Sequence, residues 1–447
     1  MTSAEGAARP VSGRELRTVV ASSVLGTTIE WYDFFLYGSA ASQVFGPVFF
    51  PSHDPVVGTL LSFTTFALGF VARPVGGLIF GHIGDRAGRK KTLVMTMLVM
   101  GGATFLIAFV PPYSAIGLAA PVLLVLLRLA QGIAIGGEWG GAVLLSVEYA
   151  RPGRRGLYGS WPQLGLAVGL TLATGLLALL GNVFGDAGFQ AYGWRIAFGL
   201  SALLVAVGLF VRLRVLETPA FTAMRERQGS STVPARDLLA DAGSRRNLLL
   251  GMGSRFVEGV AFNCWAVFIL AFAVQPMGLR YSDGLVVVMV AAVVMMPMIL
   301  LFGGLSDRTG HRRMFAIGTV IATVLAFPAF ALLGTGSLAA LAGVVLVVFG
   351  VCYPIMYGPQ SSFYCSLFPT RVRYTGISLV YQFSGIVASG LTPLVLTALL
   401  AWRGTWWPVA AYLALAGVIS TACTLVIRVR GWSDATGVAA EAAERVG

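Results

Sequence analysis

Charge is scarce in this chain. Asp, Glu, Lys and Arg make up 11% of its 447 residues, while hydrophobic residues make up 57%. A soluble domain carries roughly 25% charged residues, so this composition does not fit a single water-soluble core and calls for surface that faces lipid. Cysteine is scarce as well. All four (Cys264, Cys352, Cys365 and Cys423) fall in or at the ends of apolar segments, with no CxxC or metal-ligand spacing. They read as small buried hydrophobes. Met1–Arg17 is polar and has no apolar stretch, so no cleaved signal is expected and the first spanning helix directs insertion itself. HExxH, a phosphate-cradling GxxxxGK[ST], a nucleophile–base constellation and an attached soluble domain are all missing, which argues against an enzyme.

What the chain does have is a repeat. Gly81–Lys91 reads GHIGDRAGRKK and Gly303–Arg313 reads GGLSDRTGHRR, with Asp85-Arg86 and Asp307-Arg308 standing 222 residues apart. Arg154-Arg155-Gly156 and Arg373-Tyr374-Thr375-Gly376 echo each other at an offset of 220. Two markers at nearly one offset, about half the chain, argue for duplication. A spanning helix needs about 20 mostly apolar residues, and twelve segments qualify: 18–42, 56–80, 92–111, 117–147, 157–181, 193–213, 246–275, 284–304, 314–334, 338–364, 374–400 and 405–428. The expected architecture is an all-α membrane protein of 12 transmembrane helices. Basic residues mark the cytoplasmic side. With both termini cytoplasmic, 25 of the 31 Lys and Arg fall on that side. The net charge of +12 is then explained by loops, and no nucleic acid is needed.

The remaining charges are at membrane depth, where an ionisable group costs about 2.5–3.5 kcal/mol even on the lenient scale. Arg73, Arg128 and Arg255 share the apolar segments with Glu30, Asp33, Glu138 and Glu258, and the near balance implies pairing around a water-filled cavity. Glu30, Asp33 and Tyr37 share one helical face, as do Arg128, Gln131, Ile135 and Glu138, and Arg255, Glu258, Phe262 and Trp265. A carboxylate beside an arginine in such a cavity works as a proton switch: the arginine favours the charged acid, and a substrate that takes the arginine releases the acid to bind a proton. Asp33 with Arg128 is the candidate, Glu30 beside them. Glu138, set among glycines, reads as a packing contact. Arg73 either lines the inner cavity or anchors a gate. Tyr353, Tyr357, Gln360 and Tyr364 share a face in the tenth segment, interrupted by Pro354 and Pro359, and Tyr374, Tyr381 and Ser384 share one in the eleventh, with Gln382 nearby. Aromatics with polar tips facing arginines suit a small oxygenated substrate; the same groups also serve as interhelical glue.

GDRAGRKK, its copy SDRTGHRR and RLAQG in the fourth segment resemble the major facilitator superfamily. Five stretches resemble its metabolite:proton symporter family more narrowly: Ile29–Gly38 (IEWYDFFLYG), Gly69–Gly84 (GFVARPVGGLIFGHIG), Arg128–Gly141 (RLAQGIAIGGEWGG), Glu217–Phe221 (ETPAF) and Phe368–Gly376 (FPTRVRYTG). The resemblance implies two pseudo-symmetric six-helix bundles, residues 1–213 and 246–430, a cytoplasmic linker 214–245 and a short tail 431–447, with substrate held centrally between the bundles. It implies gating by Asp85, Arg86, Arg89, Asp307 and Arg308, to which Glu148 is added, and proton coupling by Asp33 and Arg128. The candidate substrate lining is Tyr37, Arg73, Arg128, Gln163, Arg255, Glu258, Tyr353, Tyr357, Gln360, Tyr381 and Gln382. His311 stands where the family usually has Arg or Lys. The expected activity is proton-coupled uptake of a small organic acid across a bacterial inner membrane by a monomer, with the proton as coupling ion and no other cofactor. Arg rather than Lys at position 128 and the short tail favour a carboxylate. A zwitterionic osmolyte such as proline or betaine is the second expectation, and export of a drug or metabolite the third.

Overall fold

Long apolar runs become long helices. In the computed structural model, which describes residues 13–87, 89–136, 146–147, 150, 153–215, 234–369 and 372–429, every regular element is helical. The long helices are α1 (Gly13–Gln43), α2 (Pro55–Ala87), α3 (Arg89–Ile107), α4 (Ala119–Ile135), α5 (Arg155–Gly188) and α6 (Trp194–Val215) from the first half of the chain. The second half supplies α7 (Ala242–Val274), α8 (Tyr281–Thr309), α9 (His311–Leu333), α10 (Leu338–Cys365), α11 (Arg373–Arg403) and α12 (Trp407–Val426). Eight stretches are long and apolar enough to cross a membrane, and one of them, Arg155–Phe210, takes in both α5 and nearly all of α6. Their outward faces carry large apolar side chains such as Val183 (65% exposed) and Val324 (64%), a surface suited to lipid and not to water.

The halves meet along two principal seams, α5 against α8 and α2 against α11, with α1 also reaching α7. Small residues make the seams close. A Cβ on Gly156 of α5 would run into the carbonyl of Gly303 on α8. Within the first half, a Cβ on Gly76 would strike the carbonyl of Ile133, and one on Gly136 the carbonyl of Arg73, so α2 and α4 approach backbone to backbone. This contact fixes the height of Arg73 and Arg128 relative to each other. In the second half the helices lining the centre are irregular: α7, α10 and α11 contain widened π turns at Cys264–Phe268, Val345–Cys352 and Ile386–Gly390. Such turns gather at functional sites because they re-aim side chains without ending the helix.

Helix α7 is also interrupted at Arg255, a single turn residue of right-handed geometry (φ −80°, ψ −8°) between two regular stretches. The cause is a hydroxyl from α12. Ser420 Oγ accepts from Val257 N at 2.8 Å and donates to Gly253 O at 2.9 Å. It stands between a donor and an acceptor that a regular turn would join directly.

Candidate functional site

Three arginines (Arg73, Arg128 and Arg255), three carboxylates (Glu30, Asp33 and Glu258) and several tyrosines are buried among the central helices. On α1, Asp33 is 1% exposed, and neither of its carboxylate oxygens completes a hydrogen bond. The Thr104 hydroxyl of α3 is its polar neighbour. That hydroxyl donates to Met100 O at 3.0 Å and accepts from Gln131 Nε2 at 2.7 Å, while Gln131 Oε1 accepts from Arg128 Nη1 at 3.1 Å. The expected direct pairing of Asp33 with Arg128 is therefore not what the structure shows. The two are linked through Gln131 and Thr104, because the ring of Tyr37 lies 4.1 Å under the Arg128 guanidinium. Tyr37 donates to Thr65 Oγ1 at 2.7 Å, which pins the ring there. Gly69 leaves room for the arginine, since a Cβ at that position would sit 2.5 Å from Arg128 Nε.

The second-half cluster is directly paired. Arg255 Nε lies 3.1 Å from Glu258 Oε2, a charge contact not aligned as a hydrogen bond. Arg255 Nη1 donates to Ser384 Oγ at 3.0 Å, and its guanidinium lies 3.7 Å over the Tyr381 ring. Tyr353 donates to the other oxygen of Glu258 at 2.7 Å and stacks on Tyr357 at 5.2 Å. Arg73, on α2, shares the electrostatic surroundings of Tyr381, Arg128, Arg255 and Glu30. Trp31, Phe35 and Phe262 form an aromatic wall across the halves, Phe35 and Phe262 being 5.2 Å apart.

Both ends of this space are bridged. At the end carrying the basic loops, Asp307 of α8 accepts from Gly156 N at 2.6 Å and Leu157 N at 3.0 Å. Helix α5 has no cap of its own, since Arg154 makes no side-chain capping bond. The other half of the chain supplies the missing acceptor at a positive helix N-terminus. Ser362 adds a bond to Arg155 O at 2.7 Å. Deeper in, Gln163 Nε2 donates to Tyr357 O at 3.4 Å and Gln382 Nε2 to Gly136 O at 2.8 Å. At the opposite end, Tyr281 donates to Ser39 O at 2.7 Å and Gln275 to Thr59 Oγ1 at 3.2 Å. Among the described residues, hydrogen bonds thus join the halves at both ends.

The sequence-based candidates divide accordingly. Asp33, Glu30, Tyr37, Arg73, Arg128, Gln163, Arg255, Glu258, Tyr353, Tyr357, Gln360, Tyr381 and Gln382 are all buried or half-buried; Asp33, Tyr37 and Arg128 meet first-half neighbours (Thr104, Thr65 and Gln131), whereas Gln163 and Gln382 bond across the halves. Tyr374, grouped with Tyr381 by helical spacing, is instead 43% exposed at the start of α11. Asp307 is at the seam, but Arg308 is exposed and makes no hydrogen bond or ion pair among the described residues. Glu138 and Glu148 lie outside the described residues, as do the side chains of Asp85, Arg86 and Arg89, residues 216–233 of the linker and the tail 431–447. His311 lies beside Asp307, with Nδ1 2.9 Å from Ser306 Oγ and Nε2 4.0 Å from Asp307. Ser384, grouped with Tyr381 by spacing, takes a bond from Arg255, but Thr104 and Ser420 carry geometry that spacing gave no sign of. Hydroxyl residues are common in membrane helices, and nothing local distinguishes these two.

A family profile described as Major Facilitator Superfamily matches residues 23–393. The chain belongs to that superfamily. It is a multi-pass membrane transporter and not an enzyme. It is 38% identical to the shikimate transporter of Escherichia coli K12 over 415 residues, 92% of this chain and 94% of the relative. It is 33% identical to the proline/betaine transporter of the same organism, over 91% of this chain and 82% of that one. Those relatives bear out the narrower resemblance to metabolite permeases. Among solved structures, a D-xylose-proton symporter superposes with a TM-score of 0.69 over 92% of this chain and 97% of its own, at 18% identity. That likeness establishes the fold alone.

Proposed function

We propose that this facilitator is a proton-coupled symporter that takes up a small organic acid by alternating access. In this reading it has twelve spans in two six-helix bundles, both termini are cytoplasmic, it sits in a bacterial inner membrane and it works as a monomer. The observation that carries the proposal is the state of Asp33: a buried carboxylate with no completed hydrogen bond, set at the end of a chain running through Thr104 and Gln131 to Arg128. A carboxylate in that position gains from binding a proton when its surroundings dehydrate, and the chain of polar groups ties that event to the arginine. Ion and substrate are then released together when the seams open.

A zwitterionic osmolyte is the second reading. Trp31, Phe35 and Phe262 would enclose an ammonium group near Glu258, through ring faces of the kind that hold quaternary ammonium ligands. The test of coupling is uptake of radiolabelled organic acids and betaine into proteoliposomes with and without an inward proton gradient. Asp33→Asn is expected to lose gradient-driven accumulation while retaining substrate exchange. Undiminished gradient-driven uptake by that variant would remove Asp33 from the coupling role.

A further inference from the structure

The two copies of the repeated motif differ at a titratable position. His311 stands where the first copy has Arg89, and Ser306 stands where it has Gly84. The two replacements touch, with His311 Nδ1 2.9 Å from Ser306 Oγ. A serine hydroxyl has one proton to donate, and that of Ser306 goes to Gly303 O at 2.6 Å. Ser306 Oγ therefore accepts from His311, and the neutral ring carries its proton on Nδ1. Nε2 is left bare. It lies 4.0 Å from Asp307 Oδ1, the oxygen that accepts from Gly156 N at 2.6 Å across the seam. A second proton on the ring can only go to Nε2, next to the carboxylate that joins the halves.

The surroundings tie a charge on this ring to closure. His311 precedes the ninth apolar segment, 314–334, and its side chain is 19% exposed. Among the described residues, the charged groups that act on it are Asp307 from α8 and Arg155 from α5. Arg155 belongs to the other half. Of the neighbours in sequence, Arg308 and Arg313 are exposed, and Arg312 is turned to Thr424 O and Leu425 O of α12. Ser366, Leu425 and Val429, which border the same recess as the ring, carry no charge. His311 is also the first residue of α9, whose N-terminus has no side-chain cap, and the N-terminus of α5 lies on the far side of Asp307. Both helix ends are positive.

Charging the ring in the closed state thus meets the field of Arg155 and of the α5 terminus. A proton on Nε2 also sets a second donor competing with Gly156 N for one oxygen of Asp307. When the seam opens, α5 withdraws, the imidazolium is hydrated and Asp307 is free to pair with it. The attraction of His311 to Asp307 is present in both states, because α8 and α9 belong to one half. What differs between the states is α5, and each of its groups disfavours the proton.

We propose that His311 Nε2 is a proton-binding site that releases this end of the protein: a proton there shifts the Asp307 seam from closed to open. The site is separate from the central carboxylates, and the proposal does not depend on the symporter reading. Linkage bounds its size. With a histidine value of about 6.5 once the ring is exposed, going from about pH 8 to about pH 5.5 can raise the open-to-closed ratio by about tenfold at most. The expected rise is about three- to tenfold.

The test is the distance distribution between spin labels at Arg154 and Thr309, both exposed and on opposite sides of the seam. It uses the purified full chain in detergent, without a gradient, with the four native cysteines replaced. In the parent, acidification over that range should raise the longer component relative to the shorter by the stated factor. His311→Gln cannot take the proton and should keep the short component throughout. His311→Arg is charged throughout and should show no change with pH. Asp33→Asn should keep the whole step, because the two proton sites are separate. If His311→Gln does not fold, His311→Asn takes its place. Overturning results are no step in the parent, a shift toward the shorter component on acidification, a step that survives replacement of His311, or a step that Asp33→Asn abolishes.

Discussion

Removing the Asp307 carboxylate should open the end of the protein that carries the basic loops. Its two oxygens take the Gly156 and Leu157 amides at 2.6 and 3.0 Å, and no residue of α5 replaces them. A hydrogen bond to a charged group is worth roughly 1.5–3 kcal/mol net, and a carboxylate at a helix N-terminus adds about 0.3–1 kcal/mol. In the open state the same amides and the carboxylate turn to water. Counting one such bond and the dipole contribution at their low ends sets the net bias toward closure at about 2 kcal/mol, or about 30-fold in the closed-to-open ratio. Asp307→Ala should lose all of it. Asp307→Asn keeps one neutral acceptor and should lose about half, roughly fivefold. The assay is a distance distribution between spin labels at Arg154 and Arg308, both exposed and on opposite sides of the seam, in a background with the four native cysteines replaced. The Asp307→Ala distribution should gain a longer component at the expense of the short one, with Asp307→Asn between it and the parent. Superimposable distributions in all three would refute the argument that this cap holds the halves together.

Two further outcomes follow from the same geometry. Tyr281→Phe removes the 2.7 Å bond to Ser39 O at the opposite end. It should favour opening there by about 1 kcal/mol, roughly fivefold, read as faster labelling of a cysteine placed at Thr59 and no change at the Arg154–Arg308 pair. Ser420→Ala withdraws the hydroxyl that stands in the break of α7. It should cost about 1–3 kcal/mol of stability and weaken substrate binding by turning Arg255 away from Glu258, whereas Ser420→Thr should keep both; a Ser420→Ala protein identical to the parent in melting and affinity would show that the break has another cause.

The presence of long apolar helices was legible because membrane depth selects an apolar run, but the run marks the lipid and not the helix. The second segment reads as 56–80, whereas α2 continues to Ala87, carrying the polar GDRA sequence with it. The eighth reads as 284–304, whereas α8 runs to Thr309 and stops where Gly310 adopts φ 91°. That glycine belongs to the repeated motif, so the stop was written in the sequence in a form hydropathy cannot weigh. The central residues were legible by face. Polar groups at membrane depth must turn inward, and spacing of three and four shows which groups turn together. Reach was not legible. A helical face does not reveal that the Tyr37 ring slides under Arg128 and holds it off Asp33. Nor was the break at Arg255 legible, because its cause lies on α12, 165 positions away from Arg255.

The duplication and the site pull against each other, and where they part is informative. At the repeat offset Arg255 stands opposite Asp33, and Gly350 opposite Arg128. The same offset puts Met295 opposite Arg73, and that methionine is fully buried. Positions that let helices approach, such as the glycines of the repeated motif, can be the same in both halves because each half packs on its own terms. Central charges cannot. A copy of Arg73 at Met295 would place a further cation in a dry interior, at a cost of several kcal/mol for the ion alone. A copy of the Arg255–Glu258 pair on α1 would put an arginine in the place of Asp33 and remove a carboxylate that has no completed hydrogen bond among the described residues. An asymmetric site is thus a physical requirement of placing an unbonded acid between two related halves. The first half keeps its acid unbonded. The second half keeps its charges paired and offers tyrosines and amides in their place.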